Sequence, residues 1–207
     1  MAETFALMCL KKSNKNTNAW SDYLKFLYEW RKAETSPEKA AELDEKILET
    51  NRRALQSLPA GEHKFFQMRK AGVEFKVGEV EKGRTTLETL ISKMPSKGDI
   101  WNLYIDMEVK YGDDVEAKRN LFKRAAALYL KPKIMQGFFS KWMQFEESVG
   151  DTKKIAEVRE QARLYIESKS KEVAGESDED EPAQAAPSKS TKQAPQTGKP
   201  ARKEIEV

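Results

Sequence analysis

Trp101-Asn102-Leu103-Tyr104-Ile105-Asp106-Met107-Glu108-Val109-Lys110-Tyr111-Gly112-Asp113 is the stretch on which the fold turns. Trp101, Tyr104, Met107 and Tyr111 follow one another at spacings of three, three and four, which places them on one stripe of a helix. Gly112 stands where the stripe stops. A glycine there accepts the left-handed conformation that ends a helix, and the acid after it can cap or begin the next one. Reading outward, the pattern recurs. Phe139-x-x-Trp142-x-x-Phe145-Glu146 leads into Val149-Gly150-Asp151, and Glu74-Phe75-Lys76-Val77 leads into Gly78-Glu79. Near the start, Trp20-x-x-Tyr23-x-x-Phe26 repeats the spacing, with Leu27 where the others carry glutamate.

From Glu74 to Glu108 is 34 residues and from Glu108 to Glu146 is 38, the period of helix-turn-helix repeats. A second helix follows each aromatic one. Val80 to Met94 stops at Pro95, Val115 to Leu130 stops at Pro132, and Lys153 to Ser168 carries Ile155, Val158, Ala162, Tyr165 and Ile166. The first of these second helices, from about Pro37 to Leu58, opens on Ser36-Pro37: serine caps, and proline is tolerated in the first turn. One helix pair cannot bury its apolar faces alone, so neighbours must stack. The expected fold is therefore all-α, a right-handed repeat solenoid of about four helix pairs over residues 18–169. Residues 1–12 resemble the second helix of a repeat whose first helix is missing, an uncovered face that would invite self-association. Residues 170–207 hold six Lys/Arg against eight Asp/Glu and no aromatic residue; such a tail cannot offset its ordering entropy and is expected to be disordered.

Composition agrees with a stack of helices rather than a single globule. Hydrophobic residues make up 39% and charged residues 34%, a mixture rich in surface. Only ten glycines occur, and the prolines sit between apolar stretches or in the tail. The single cysteine, Cys9, excludes an internal disulfide framework and points to a reducing compartment. The apolar run Phe5 to Leu10 is too short to span a bilayer and has the wrong flanks for a signal peptide, so no membrane partner is expected.

The aromatic-x-x-aromatic-x-x-(Met/Phe)-Glu helix with its Gly-acid turn resembles the HAT (half-a-tetratricopeptide) repeat. Between about Ala54 and Ser168, strings such as Asp99-Ile100-Trp101-Asn102-Leu103-Tyr104-Ile105-Asp106-Met107-Glu108 and Lys141-Trp142-Met143-Gln144-Phe145-Glu146-Glu147-Ser148 are similar to the extreme C-terminal repeats of the ribosomal RNA processing protein 5 family, called programmed cell death protein 11 in animals. The resemblance implies a nuclear, nucleolar, non-catalytic factor supporting pre-rRNA processing, with protein partners in the small-subunit pre-ribosome and pre-rRNA as a further partner. Family members carry RNA-binding β-barrel domains ahead of the repeats, and this sequence contains none. HAT repeats also occur in pre-mRNA splicing and 3′-end-processing factors, which keeps a second pathway open.

At their helical spacing, Trp20, Tyr23, Trp101, Tyr104, Met107, Trp142 and Phe145 are expected to pack against partner helices rather than stack on bases. Glu108 and Glu146 adjoin the apolar stripe and need partners if buried. Arg84 and Arg119 occupy like places in the second helices, and Glu108 is expected to pair with Arg119 or with an arginine of a neighbouring repeat. Arg119, Lys123 and Arg124 lie within reach of one another on one helix and form a candidate phosphate-contacting stripe, the basis of an alternative reading as a direct RNA-binding module. Ser177, followed by four acids, suits an acid-directed kinase. Catalysis has little to stand on: His63 is the only histidine, no nucleophile pair, metal cluster or Gly-rich phosphate loop can be assembled, and no cofactor is expected.

Overall fold

A computed structural model describes residues 2–128 and 130–176; the candidate phosphosite Ser177 and the part of the expected tail that follows it lie outside the described residues. Among the described residues the chain is all helix and turn, without a strand. The helices are α1 (Ala2–Lys12), α2 (Thr17–Ala33), α3 (Pro37–Ser57), α4 (His63–Val77), α5 (Val80–Lys93), α6 (Gly98–Tyr111), α7 (Val115–Ala126), α8 (Pro132–Val149) and α9 (Thr152–Glu176), with one 3-10 turn at Ala60–Glu62. The chain divides into two units, residues 1–167 and 168–207. The second is described only as the end of α9, which runs on to Glu176, past the residue-170 boundary expected for the tail.

Within the first unit the contacts follow helix pairing. The even-numbered helices form one layer, α2 against α4, α4 against α6 and α6 against α8, while α3 packs on α2 and α5 on α4. Helices α5 and α7 also pack on the even helix that follows each of them. Two apolar cores result. One gathers Leu10, Trp20, Leu24, Leu27, Ile47 and Phe66; the other runs from Ala71 and Phe75 through Ile100 and Phe122 to Tyr165. Helix α4 belongs to both, because Phe66 and Phe75, each fully buried, point into different cores.

The helix ends show why these boundaries fall where they do. Asn16 caps α2 by accepting from the Asn18 N–H, and Asp114 caps α7 by accepting from those of Glu116 and Ala117 at 2.8 and 3.2 Å. Ser36 does precede α3, but its hydroxyl makes no capping bond. Helix α7 ends at Ala126, four residues before the expected Leu130. Gly78 (φ 97°) and Gly150 (φ 81°) close α4 and α8 in the left-handed conformation. Gly112 does not: it is extended, at φ −76° and ψ 155°. Its glycine has another cause. A Cβ there would lie 2.8 Å from the Glu108 carbonyl oxygen and closer still to Glu108 Oε2, with Arg84 Nη2 at 3.3 Å. Gly112 leaves room for an ion pair.

Candidate functional site

The three glutamates that mark the period are all buried: Glu74 is 1% exposed, Glu108 4% and Glu146 0%. A carboxylate out of water is costly unless it is paired and hydrogen-bonded, and each is. Arg84, from α5, forks Glu108 through Nε and Nη2 at 2.6 and 2.9 Å. Arg119, from α7, forks Glu146 through Nε at 3.0 Å and Nη2 at 2.8 Å, and the Trp142 indole N–H adds a bond of 3.1 Å. In both joints an odd-numbered helix sends its arginine onto the glutamate of the helix that follows it: α5 onto α6, α7 onto α8. Arg119 is therefore not the partner of Glu108; the neighbouring arginine, Arg84, is. Hydrogen bonding to Glu108 raises the Arg84 pKa above its ordinary value, and bonding to Glu146 and Glu116 does the same for Arg119.

Glu74 is served differently. No arginine reaches it from α3; the Tyr28 hydroxyl and Lys70 Nζ each donate to Oε1 at 2.6 Å, and the Thr86 hydroxyl donates to Oε2 at 2.9 Å. Burial, then the charge of Glu74, pushes the Tyr28 phenol well above its usual range. Lys70 stands four residues before Glu74, a helical neighbour visible in the sequence, whereas Tyr28 sits 46 residues away and gave no signal there.

The aromatic residues lie inside. Trp20, Tyr23, Trp101, Tyr104, Trp142 and Phe145 are each 3–6% exposed, and Met107 is partly buried against the second core. Trp20 and Trp101 hold the same place in their helices and use it alike. Each donates its indole N–H to a carbonyl six residues back, Asn14 at 2.7 Å and Pro95 at 2.9 Å, pinning the preceding turn. Trp142 stacks on Phe122 with centroids 5.7 Å apart.

The three candidate phosphate contacts on α7 differ in their surroundings. Arg119 is 8% exposed, with its guanidinium bound to Glu146, Glu116 and Asp151. Arg124 is half-exposed but forks Glu88 at 2.7 and 2.8 Å, and its guanidinium lies 5.3 Å from the Trp101 ring centroid. That hydrogen bond holds the Glu88 carboxyl below its ordinary pKa. Lys123 alone of the three is exposed and makes no ion pair among the described residues.

The remaining chemistry is sparse. Among the described residues no three His, Cys, Asp or Glu side chains gather as a metal site, and no helix is long and apolar enough to cross a membrane. Cys9 is exposed on α1, and His63 Nε2 lies 3.0 Å from the Leu58 carbonyl oxygen. A groove of about 440 Å³ opens between α3 and α5, with Ile47 and Leu48 on one side, Thr85 and Thr86 on the other, and the Tyr28–Glu74 bond at its floor.

Packed helices joined by Arg–Glu pairs define the class: an all-α domain. No family model matches the chain. Over 166 residues, 80% of its length, it is 37% identical to the rRNA biogenesis protein rrp5 of Schizosaccharomyces pombe, and over 125 residues, 60% of its length, 37% identical to rRNA biogenesis protein RRP5 of Arabidopsis thaliana. It is 32% identical to the human protein RRP5 homolog over 161 residues, 78% of the chain. The chain belongs to the RRP5 family. It spans 9%, 6% and 8% of the lengths of those three relatives, so it corresponds to a short segment of each.

Proposed function

We propose that this chain is a non-catalytic scaffold in ribosome biogenesis, supporting pre-rRNA processing in the nucleolus by holding small-subunit assembly factors together. The observation that carries this reading is the 37% identity across 80% of the chain to a protein named for rRNA biogenesis. The interior adds support: its buried polar groups bind one another at the helix joints, in keeping with a framework that positions partners on its surface.

Affinity purification of the tagged chain from nuclear extract tests it. The expected outcome is recovery of early small-subunit assembly factors together with pre-rRNA. Spliceosomal or 3′-end cleavage factors in their place would move the chain to mRNA processing with the same fold.

A further inference from the structure

Helices joined by short turns reverse direction at each turn, so the turns leading into α2, α4, α6 and α8 fall on one edge of the helix stack and those leading into α3, α5, α7 and α9 on the other. Contacts between successive turns on the first edge confirm their order. The Thr17 hydroxyl donates to Glu62 at 2.7 Å, Lys64 pairs with Asp99, and Gly98 packs so tightly on Ile134 that a Cβ there would meet Cγ2 at 2.7 Å. These turns form a continuous row.

The two edges differ in charge. On the first, Lys11, Lys12 and Lys15 flank the turn into α2, and Lys93 and Lys97 flank the turn into α6. Lys131 and Lys133 flank the turn into α8. All seven are exposed and make no ion pair among the described residues. Of the acids of this edge, Asp99 is neutralised by Lys64, while Glu62 accepts from the Thr17 hydroxyl and keeps its charge. The opposite edge mixes signs: Glu34, Glu79, Asp113, Asp114 and Asp151 lie in its turns, beside the exposed Lys32, Lys76, Lys110 and Lys153.

We propose that the row of turns leading into α2, α4, α6 and α8 binds the phosphate backbone of one RNA strand. Packed helices lie about 8–10 Å apart, so the row extends over roughly 25–30 Å, enough to follow several successive phosphates. The chemistry favours nucleic acid over an acidic protein. A protein interface draws its energy from a cluster of apolar and aromatic anchors, and this edge offers Ser13, Asn14 and Ser96 between its lysines, with Trp20 and Trp101 buried behind it and Phe65 as its single exposed ring among the described residues. Lysine side chains on turns supply point charges without a fixed fork, which suits backbone contact without sequence reading. The surface is distinct from the α7 stripe, whose arginines are occupied.

The test is binding of the full chain to a labelled oligouridine RNA by fluorescence anisotropy over a salt series. Three charge reversals are compared with the parent chain: Lys11→Glu/Lys12→Glu/Lys15→Glu, Lys93→Glu/Lys97→Glu, and Lys131→Glu/Lys133→Glu. Each is expected to weaken binding about tenfold or more and to lower the slope of log affinity against log salt by roughly 0.7 for each phosphate no longer neutralised. Lys76→Glu/Lys110→Glu, on the opposite edge, is expected to change neither. Equal weakening from both edges would reduce the effect to net charge and overturn the proposal. So would edge variants that fold by circular dichroism yet bind RNA like the parent, or a polyglutamate peptide that binds as tightly as the RNA with the same lysine dependence. The inference stands on charge placement alone, so its failure would leave the assembly-factor reading to its own purification test.

Discussion

Glu146 is the most deeply buried charge among the described residues, and its four hydrogen bonds, three from Arg119 and one from Trp142, leave it little tolerance for change. Glu146→Gln keeps the shape but leaves the buried Arg119 guanidinium with only Glu116 and Asp151 as counter-charges, a change that costs up to about 3–5 kcal/mol. Thermal or urea unfolding is expected to show that deficit. Glu108→Gln should cost less, because the Arg84 side chain retains 26% exposure and water can take up part of the difference. An unchanged midpoint for Glu108→Gln would refute the importance of that pair. Gly112 and Gly150 separate two meanings of glycine. Gly150→Ala must hold a left-handed φ of 81°, at a cost of about 1–2 kcal/mol. Gly112→Ala meets no dihedral penalty, yet its methyl group would push into the Arg84–Glu108 fork. The two alanine variants should differ accordingly: the Glu108→Gln background should absorb much of the Gly112→Ala cost and none of the Gly150→Ala cost, which a double-mutant cycle measures.

At the scale of the helix, the apolar stripes made most of the fold legible. Each aromatic helix announces itself because large rings at three- and four-residue spacing can share a buried side only in a helix, and Pro or Gly closes each run. The exact stopping points were less legible. Helix α9 continues to Glu176 through Lys169, Lys171 and Glu172, and a solvated charged turn has no apolar rhythm to announce it. Of the buried joints, the sequence offers the glutamates and the arginines but not their pairing: whether Glu108 meets Arg84 or Arg119 depends on which neighbouring helix lies against α6. Tyr28 on Glu74 was unreadable for the same reason. Close packing between elements is also hidden from the sequence, as at Gly83 in α5, where a Cβ would meet the Phe75 ring at 2.7 Å or less. Gly83→Ala is expected to destabilise by about 1–3 kcal/mol through overpacking, although alanine is the better helix former. A rise in stability in chemical denaturation would show that α5 can shift away from α4.

Over the whole molecule, buried phenols make alkaline pH a probe of the helix joints. Burial first, then Glu3, raises Tyr23 to about 12, and burial followed by Glu74 or Glu88 lifts Tyr28 and Tyr104 higher. Unfolded tyrosine titrates near pH 10. A folded pKa above that value means these rings contribute stability in full below about pH 10 and lose it as pH rises through their folded values. Phenolate absorbance should therefore lag behind that of the denatured chain by at least these rings and then appear together with loss of helix. Tyr28→Phe should shift that alkaline transition to higher pH while weakening the chain near neutrality, where the bond to Glu74 is missing. Glu88 works in the opposite direction: its carboxyl is held low by Arg124, so its share of stability is present above the ordinary glutamate value near 4.3 and disappears as pH falls through the folded one. The double membership of α4 carries a practical corollary for anyone dissecting this chain. A cut anywhere between α3 and α5, the turns on either side of α4 included, strips either Phe66 or Phe75 of its surroundings and leaves that ring uncovered; workable deletion boundaries keep α2 through α6 together.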